Sequence, residues 1–222
     1  RSLACFESKL AKFRTFLAPK DLMVFQAFNI MPYVDAGETE KAFGILESIT
    51  EELPPPIDKV VPFGYMFIYA ETGDPEKALE AAAGAEELIK GFGEEMLMAQ
   101  IYESMGKVNE LRGNYREAID EYYKYLELDA RDFTIYGSIA RCHRHLKEFK
   151  KAEEAINTSL QHRPFDPLLT YEAALLNFDM GEDEQGLKYL QQTVDIWKDA
   201  DPGYTKAAIA REKLDAMQGD AF

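Results

Sequence analysis

Apolar residues recur along this chain at alternating spacings of three and four, in blocks separated by short polar turns. Leu3, Phe6, Leu10, Phe13 and Leu17 form one such stripe over residues 1–18, the spacing of an amphipathic helix. Further along, Tyr102 and Met105, then Tyr136 and Ile139, mark one set of helices. Tyr122 and Leu126, Ile156 and Leu160, and Leu190 and Val194 mark a second set that alternates with the first. Gly113-Asn114 and Gly181-Glu182 fall between them, where glycine supplies a left-handed cap, and Arg163-Pro164 ends a helix. The pattern predicts an all-α chain.

The blocks repeat. GNYREAIDEYYKYLELD at 113–129 is followed by KEFKKAEEAINTSLQHRP from Lys147 and GEDEQGLKYLQQTVDIWKD from Gly181, each copy starting 34 residues after the last. Alignment puts Ala118, Ala152 and Gly186 in register, and upstream of them Gly106, Ala140 and Ala174, with Ala208 continuing the series. Small side chains at fixed positions let paired helices approach to about 8 Å. The signature extends backward as TGDPEKAL at 72–79 and AGETEKAF at 36–43, which place Ala78 and Ala42 in the same role at spacings of 40 and 36 residues. PPP at 54–56 and a loop around GFG at 91–93 are expected to absorb the extra length.

This small/large pattern over a 34-residue period resembles the tetratricopeptide repeat family. The resemblance implies a right-handed α-solenoid of stacked helix–turn–helix repeats, five in number, at 23–58, 59–98, 99–132, 133–166 and 167–200. Residues 1–22 form an N-terminal packing helix, and residues 201–222 a capping helix and tail. The alternative for the N-terminal stripe, a membrane-surface helix, draws on Arg1, Lys9, Lys12, Arg14 and Lys20. Packing is the expected role, because the first repeat of an array needs its open face covered. The chain departs from the family pattern at Pro32, Asn109, Tyr125 and Ala130.

Composition narrows the function. With 222 residues, 46% hydrophobic and 29% charged, the chain has ample material for a core. A formal charge of −15 repels phosphate backbones, so nucleic acid is not an expected partner. The longest mostly apolar run, 60–70, is shorter than a membrane span and contains Pro62 and Gly64. The chain begins at Arg1 and reads as a piece of something longer or as a processed product. Cys5 and Cys142 match neither a disulfide framework nor a zinc spacing. Cys142, His143 and His145 are too close in sequence to converge on one metal from a helix. No phosphate loop, nucleophile elbow or metalloprotease motif occurs. The expectation is a noncatalytic chain with no cofactor and no metal.

The resemblance also implies where a partner binds, since first helices line the concave groove of such arrays. Projecting the register gives Phe63 and Phe67, then Glu103 and Lys107, then Arg141, Arg144 and His145, then Tyr171, Leu175 and Phe178. A groove apolar at both ends and basic in the middle suits a protein or peptide segment with an acidic centre and apolar anchors. The bland alternative is that the aromatics fill gaps between helices and the basic residues pair with the chain's own glutamates. The carboxylate clamp of chaperone-binding relatives is not expected, because Glu103, Thr134 and Ser138 occupy clamp positions and only Lys107 and Arg141 fit. Two other functions remain open: a soluble repeat tail of a larger, membrane-embedded bacterial protein resembling a glycosyltransferase, and a self-association module. The oligomeric state is left undetermined.

Overall fold

The computed structural model describes residues 3–50, 61–92, 95–201 and 203–219. All the regular secondary structure among the described residues is α-helix, and the chain divides into two compact units, 1–112 and 113–222. The first unit contains α1 (Leu3–Phe13), α2 (Pro19–Phe28), α3 (Met31–Asp35), α4 (Thr39–Thr50), α5 (Val61–Thr72), α6 (Pro75–Phe92) and α7 (Glu95–Leu111). The second contains α8 (Tyr115–Leu128), α9 (Ile135–His145), α10 (Phe149–His162), α11 (Pro167–Met180), α12 (Asp183–Ile196) and α13 (Thr205–Gly219). Within the units, α5 packs on α6, α9 on α10 and α11 on α12 as the helix pairs that the period predicts.

One turn geometry recurs between consecutive helices. Gly37, Gly73, Gly113 and Gly181 all have left-handed backbone, with φ between 77° and 83°. The residue after the turn donates its N–H back five residues: Glu38 to Tyr33, Asp74 to Tyr69, Glu148 to His143 and Glu182 to Asn177, at 2.8–2.9 Å. This bond satisfies a carbonyl that the helix end leaves open. The same residue starts the next helix, and its carbonyl accepts from the small residue four positions on: Ala42, Ala78, Ala152 and Gly186. The fourth turn of the series has Lys147 where the others have glycine, at φ 59°. A lysine there carries a steric cost that glycine avoids.

The small positions are where helices touch. Ala42, Ala78, Ala118 and Ala152 are fully buried. A Cβ added at Gly186 would lie 2.5 Å from the Phe178 ring, so any larger residue here would push that ring aside. Gly137 meets Leu169 in the same way between α9 and α11. The upstream series holds through Ala140 and Ala174 and then shifts by one: Ala207 and Ala210 are buried on α13, whereas Ala208 is half-exposed.

Two details differ from the sequence reading, at the N-terminal stripe and at GFG, while the interruption expected at Pro32 is present. The N-terminal stripe ends its helix at Phe13, because Ala18 is extended ahead of Pro19, which opens α2. α1 nevertheless packs inward, with Leu3 and Leu10 buried and Phe13 set edge-on 4.8 Å from Phe25. Near Pro32 the first helix breaks into α2 and α3, and Asn29 closes the break by donating its amide to Phe25 O at 2.8 Å. Finally, Gly91 and Phe92 belong to α6, so much of the expected GFG loop is helix; α6 and α7 reach 18 and 17 residues against 14 for α10. Gly93 and the PPP segment lie outside the described residues.

Tyr125 and Ala130 have a joint account. Tyr125 is buried, and its hydroxyl donates to Asp132 at 2.9 Å. The other Asp132 oxygen accepts the Thr134 N–H at 3.0 Å. Burial works against the Asp132 charge, but the bonds from Thr134 and Tyr125 outweigh it and hold its pKa below the ordinary value. Side-chain bonds thus close the α8–α9 turn where the family pattern has a proline.

Candidate functional site

The ten groove residues fall into two groups, one in each unit, and Glu103 stands exposed on α7 of the first. In the first unit, Phe63 lies on α5 with its side chain outside the described set. Phe67 packs against the buried cluster of Met66, Ala82, Ala85 and Ile101. Lys107 of α7 bridges to Glu71 of α5 at 3.1 Å, with both side chains mostly covered. Its charge is thereby matched inside the unit.

In the second unit, Arg141, Arg144 and His145 lie on α9, and Tyr171, Leu175 and Phe178 on the neighbouring α11. Arg144 is held firmly. Its Nε donates to Glu172 at 2.6 Å and its Nη1 to Asp179 at 2.8 Å, with only 10% of the side chain exposed. Burial opposes the guanidinium charge, but Glu172 and Asp179 outweigh it and raise its pKa. Arg144 therefore fastens α9 to α11. Phe178 fills the space over Gly186 and carries Lys213 of α13 at 5.4 Å from its ring.

The remaining four are half-buried or exposed. Arg141 is half-buried and donates to Ser138 one turn earlier at 3.1 Å. His145 is exposed and lies flat on Tyr115 of α8, centroids 4.6 Å apart. Tyr171 and Leu175 are half-buried one turn apart on α11. Burial raises the Tyr171 pKa, and the neighbouring Glu172 adds to the effect, so the phenol stays protonated.

Cys142, His143 and His145 reach three different surroundings. Cys142 is buried, His145 is on Tyr115, and His143 Nδ1 lies 2.8 Å from Glu148. Glu148 also accepts from Lys151 and Arg116, both at 3.1 Å. The Lys151 bond first, then His143 and Arg116, lower the Glu148 pKa to about 2.

Two exposed features escaped the sequence reading. Phe165 is 76% exposed beside Leu168 at the α10–α11 turn, and the PFDP motif at 164–167 was its only signal. On α5, Tyr65 and Tyr69 form an aromatic wall with Phe43 of α4, visible in sequence only as two tyrosines four apart in an otherwise apolar helix.

The fold defined by these helix pairs is the tetratricopeptide-type helical solenoid. Among solved structures it is similar to pilF of Pseudomonas aeruginosa, at 16% identity over 89% of this chain and 91% of that one, with a TM-score of 0.57. A candidate kinesin light chain of Podosopora anserina with nearly identical TPR-like repeats matches at 14% identity over 82% and 97%, TM-score 0.57. MamA matches at 16% identity over 79% and 92%, TM-score 0.51. At such identities the likeness establishes the fold. No protein-family model and no curated protein sequence matches the chain.

Proposed function

We propose that this protein is a noncatalytic interaction scaffold that holds an extended segment of a partner protein along the first-helix face of its second unit. The observation that carries this reading is the division of labour on α9 and α11. Arg144 and Phe178 are consumed in fastening helices, whereas Arg141, His145, Tyr171 and Leu175 keep partly exposed polar and apolar surface on adjacent helices. Helical solenoids commonly use that face to bind. A carboxylate on the partner meets Arg141, and aliphatic or aromatic side chains cover Tyr171 and Leu175. Lys107 and Arg144 are each paired within their own unit.

A displayed random-peptide library selected on the intact protein tests this reading. Enriched sequences should combine an acidic residue with apolar flanks and lose binding to Arg141→Glu, which should melt at the parent temperature. Absence of enrichment, or enriched peptides indifferent to Arg141→Glu, would sink it.

A further inference from the structure

The first unit holds a surface cavity of about 350 Å3 between α5 and α6, open to solvent and apart from the first-helix face of the second unit. Its walls include Tyr65 and Tyr69 from α5 and Lys77, Glu80, Ala81 and Gly84 from α6. The two tyrosine rings are nearly parallel, 19° apart with centroids at 6.1 Å, and Phe43 backs them 5.4 Å from Tyr69. The volume is at the low end for small-ligand sites and ample for one long side chain.

Charge indicates which side chain. Lys77 is already neutralised by Asp74 at 3.0 Å, and its ammonium lies 5.3 Å from the Tyr69 centroid, so the aromatic wall already faces a cation. Glu80 is exposed at the rim, and no cation among the described residues pairs with it. Residues 61–92 carry six acidic residues against two basic ones, so an acidic occupant is repelled. A purely apolar occupant would desolvate Glu80 without compensation.

An independent observation comes from Gly84. It sits inside α6, where glycine is the poorest helix former after proline, yet a Cβ there would meet no atom beyond its own stretch of helix within 4 Å. Nothing internal requires the missing side chain, and the space it leaves opens on the cavity.

We propose that the α5–α6 cavity binds an arginine side chain of a partner protein. The methylene stem lies against Ala81 and Gly84, and the guanidinium reaches tyrosine surface and Glu80. Arginine combines an apolar stem with a planar, weakly hydrated cation that stacks on aromatic rings.

The test is an NMR titration of the intact protein with the blocked peptide Gly-Ala-Arg-Ala-Gly, beside versions with citrulline, the neutral isostere, or norleucine in place of arginine. The arginine peptide should give saturable shifts at Tyr65, Tyr69 and Gly84 amides in the millimolar range. Citrulline and norleucine should bind at least about tenfold more weakly, the loss expected for one charge-assisted contact on an aromatic wall. Glu80→Gln should show the same loss, and Gly84→Leu should fold normally and abolish the shifts. Binding of citrulline equal to arginine, no saturable shift, or retained binding in Gly84→Leu would each overturn the proposal. Arg141→Glu should leave this titration unchanged, which separates its failure from that of the first-helix face.

Discussion

The two units solve the same packing problem with different materials. Between 113 and 222 the buried polar side chains among the described residues are His143, Ser159, Thr170, Glu172 and Thr193, and each has a partner. Ser159 donates to Phe133 O at 2.6 Å, Thr170 and Thr193 meet at 2.8 Å, and Glu172 takes Arg144. Between 1 and 112 the one buried polar residue among those described is Ser104, and its hydroxyl has no hydrogen-bond partner. Apolar and aromatic contacts hold that unit, as in the Phe6, Phe25 and Tyr33 cluster around α1. Apolar contacts tolerate sliding, whereas polar ones require one geometry, so the strict 34-residue register falls where the polar contacts are.

The contrast can be broken most forcefully at Glu172. Glu172→Ala leaves Arg144 buried with a single partner and should cost about 3 kcal/mol in urea unfolding. The matching change in the first unit, Lys107→Met, removes a partly exposed pair and should cost at most about 1 kcal/mol. Equal losses would erase the distinction between the two interiors. Ala152→Leu overpacks the α9–α10 contact and should lower stability by about 2 kcal/mol, and an unchanged melting temperature would show the helix register to be misplaced.

At the turns, Lys147→Gly relieves left-handed backbone and should raise stability by about 1 kcal/mol in thermal melts. Glu148 beside it has its pKa lowered from 4.5 to about 2. Its contribution is therefore present above pH 4.5 and lost as pH falls toward 2, and Glu148→Gln should flatten that limb of an acid titration followed by circular dichroism. The smallest effect is expected at Ser104→Ala, which removes an unpaired buried hydroxyl and should be neutral or stabilising by under about 1 kcal/mol. A clear loss there would reveal a partner for that hydroxyl.

Much of the fold was legible because glycine and alanine record where backbones approach. Ala118, Ala152 and Gly186 announced their buried positions, and Gly113 and Gly181 their left-handed turns. Lys147 was opaque, since nothing in a lysine signals positive φ; only its place 34 residues after Gly113 does. The end of α6 reads as loop in the sequence because of Gly91, yet a glycine does not by itself stop a helix. The candidate site was less legible. A sequence register shows which residues face one way, but not that Glu172 and Asp179 claim Arg144, nor that Tyr65 and Tyr69 wall a cavity.

Arg144 has a consequence for how the second unit comes apart. Its two carboxylate partners both belong to the next helix pair, so the ion triad acts as a nearest-neighbour coupling in a quasi-one-dimensional array. Such coupling governs whether pairs unfold singly or together. With it, amide protons of α9 and α11 should exchange with similar protection; without it, α11 to α13 would be free to open ahead of α9, and the melting of residues 113–222 would broaden from one transition into two.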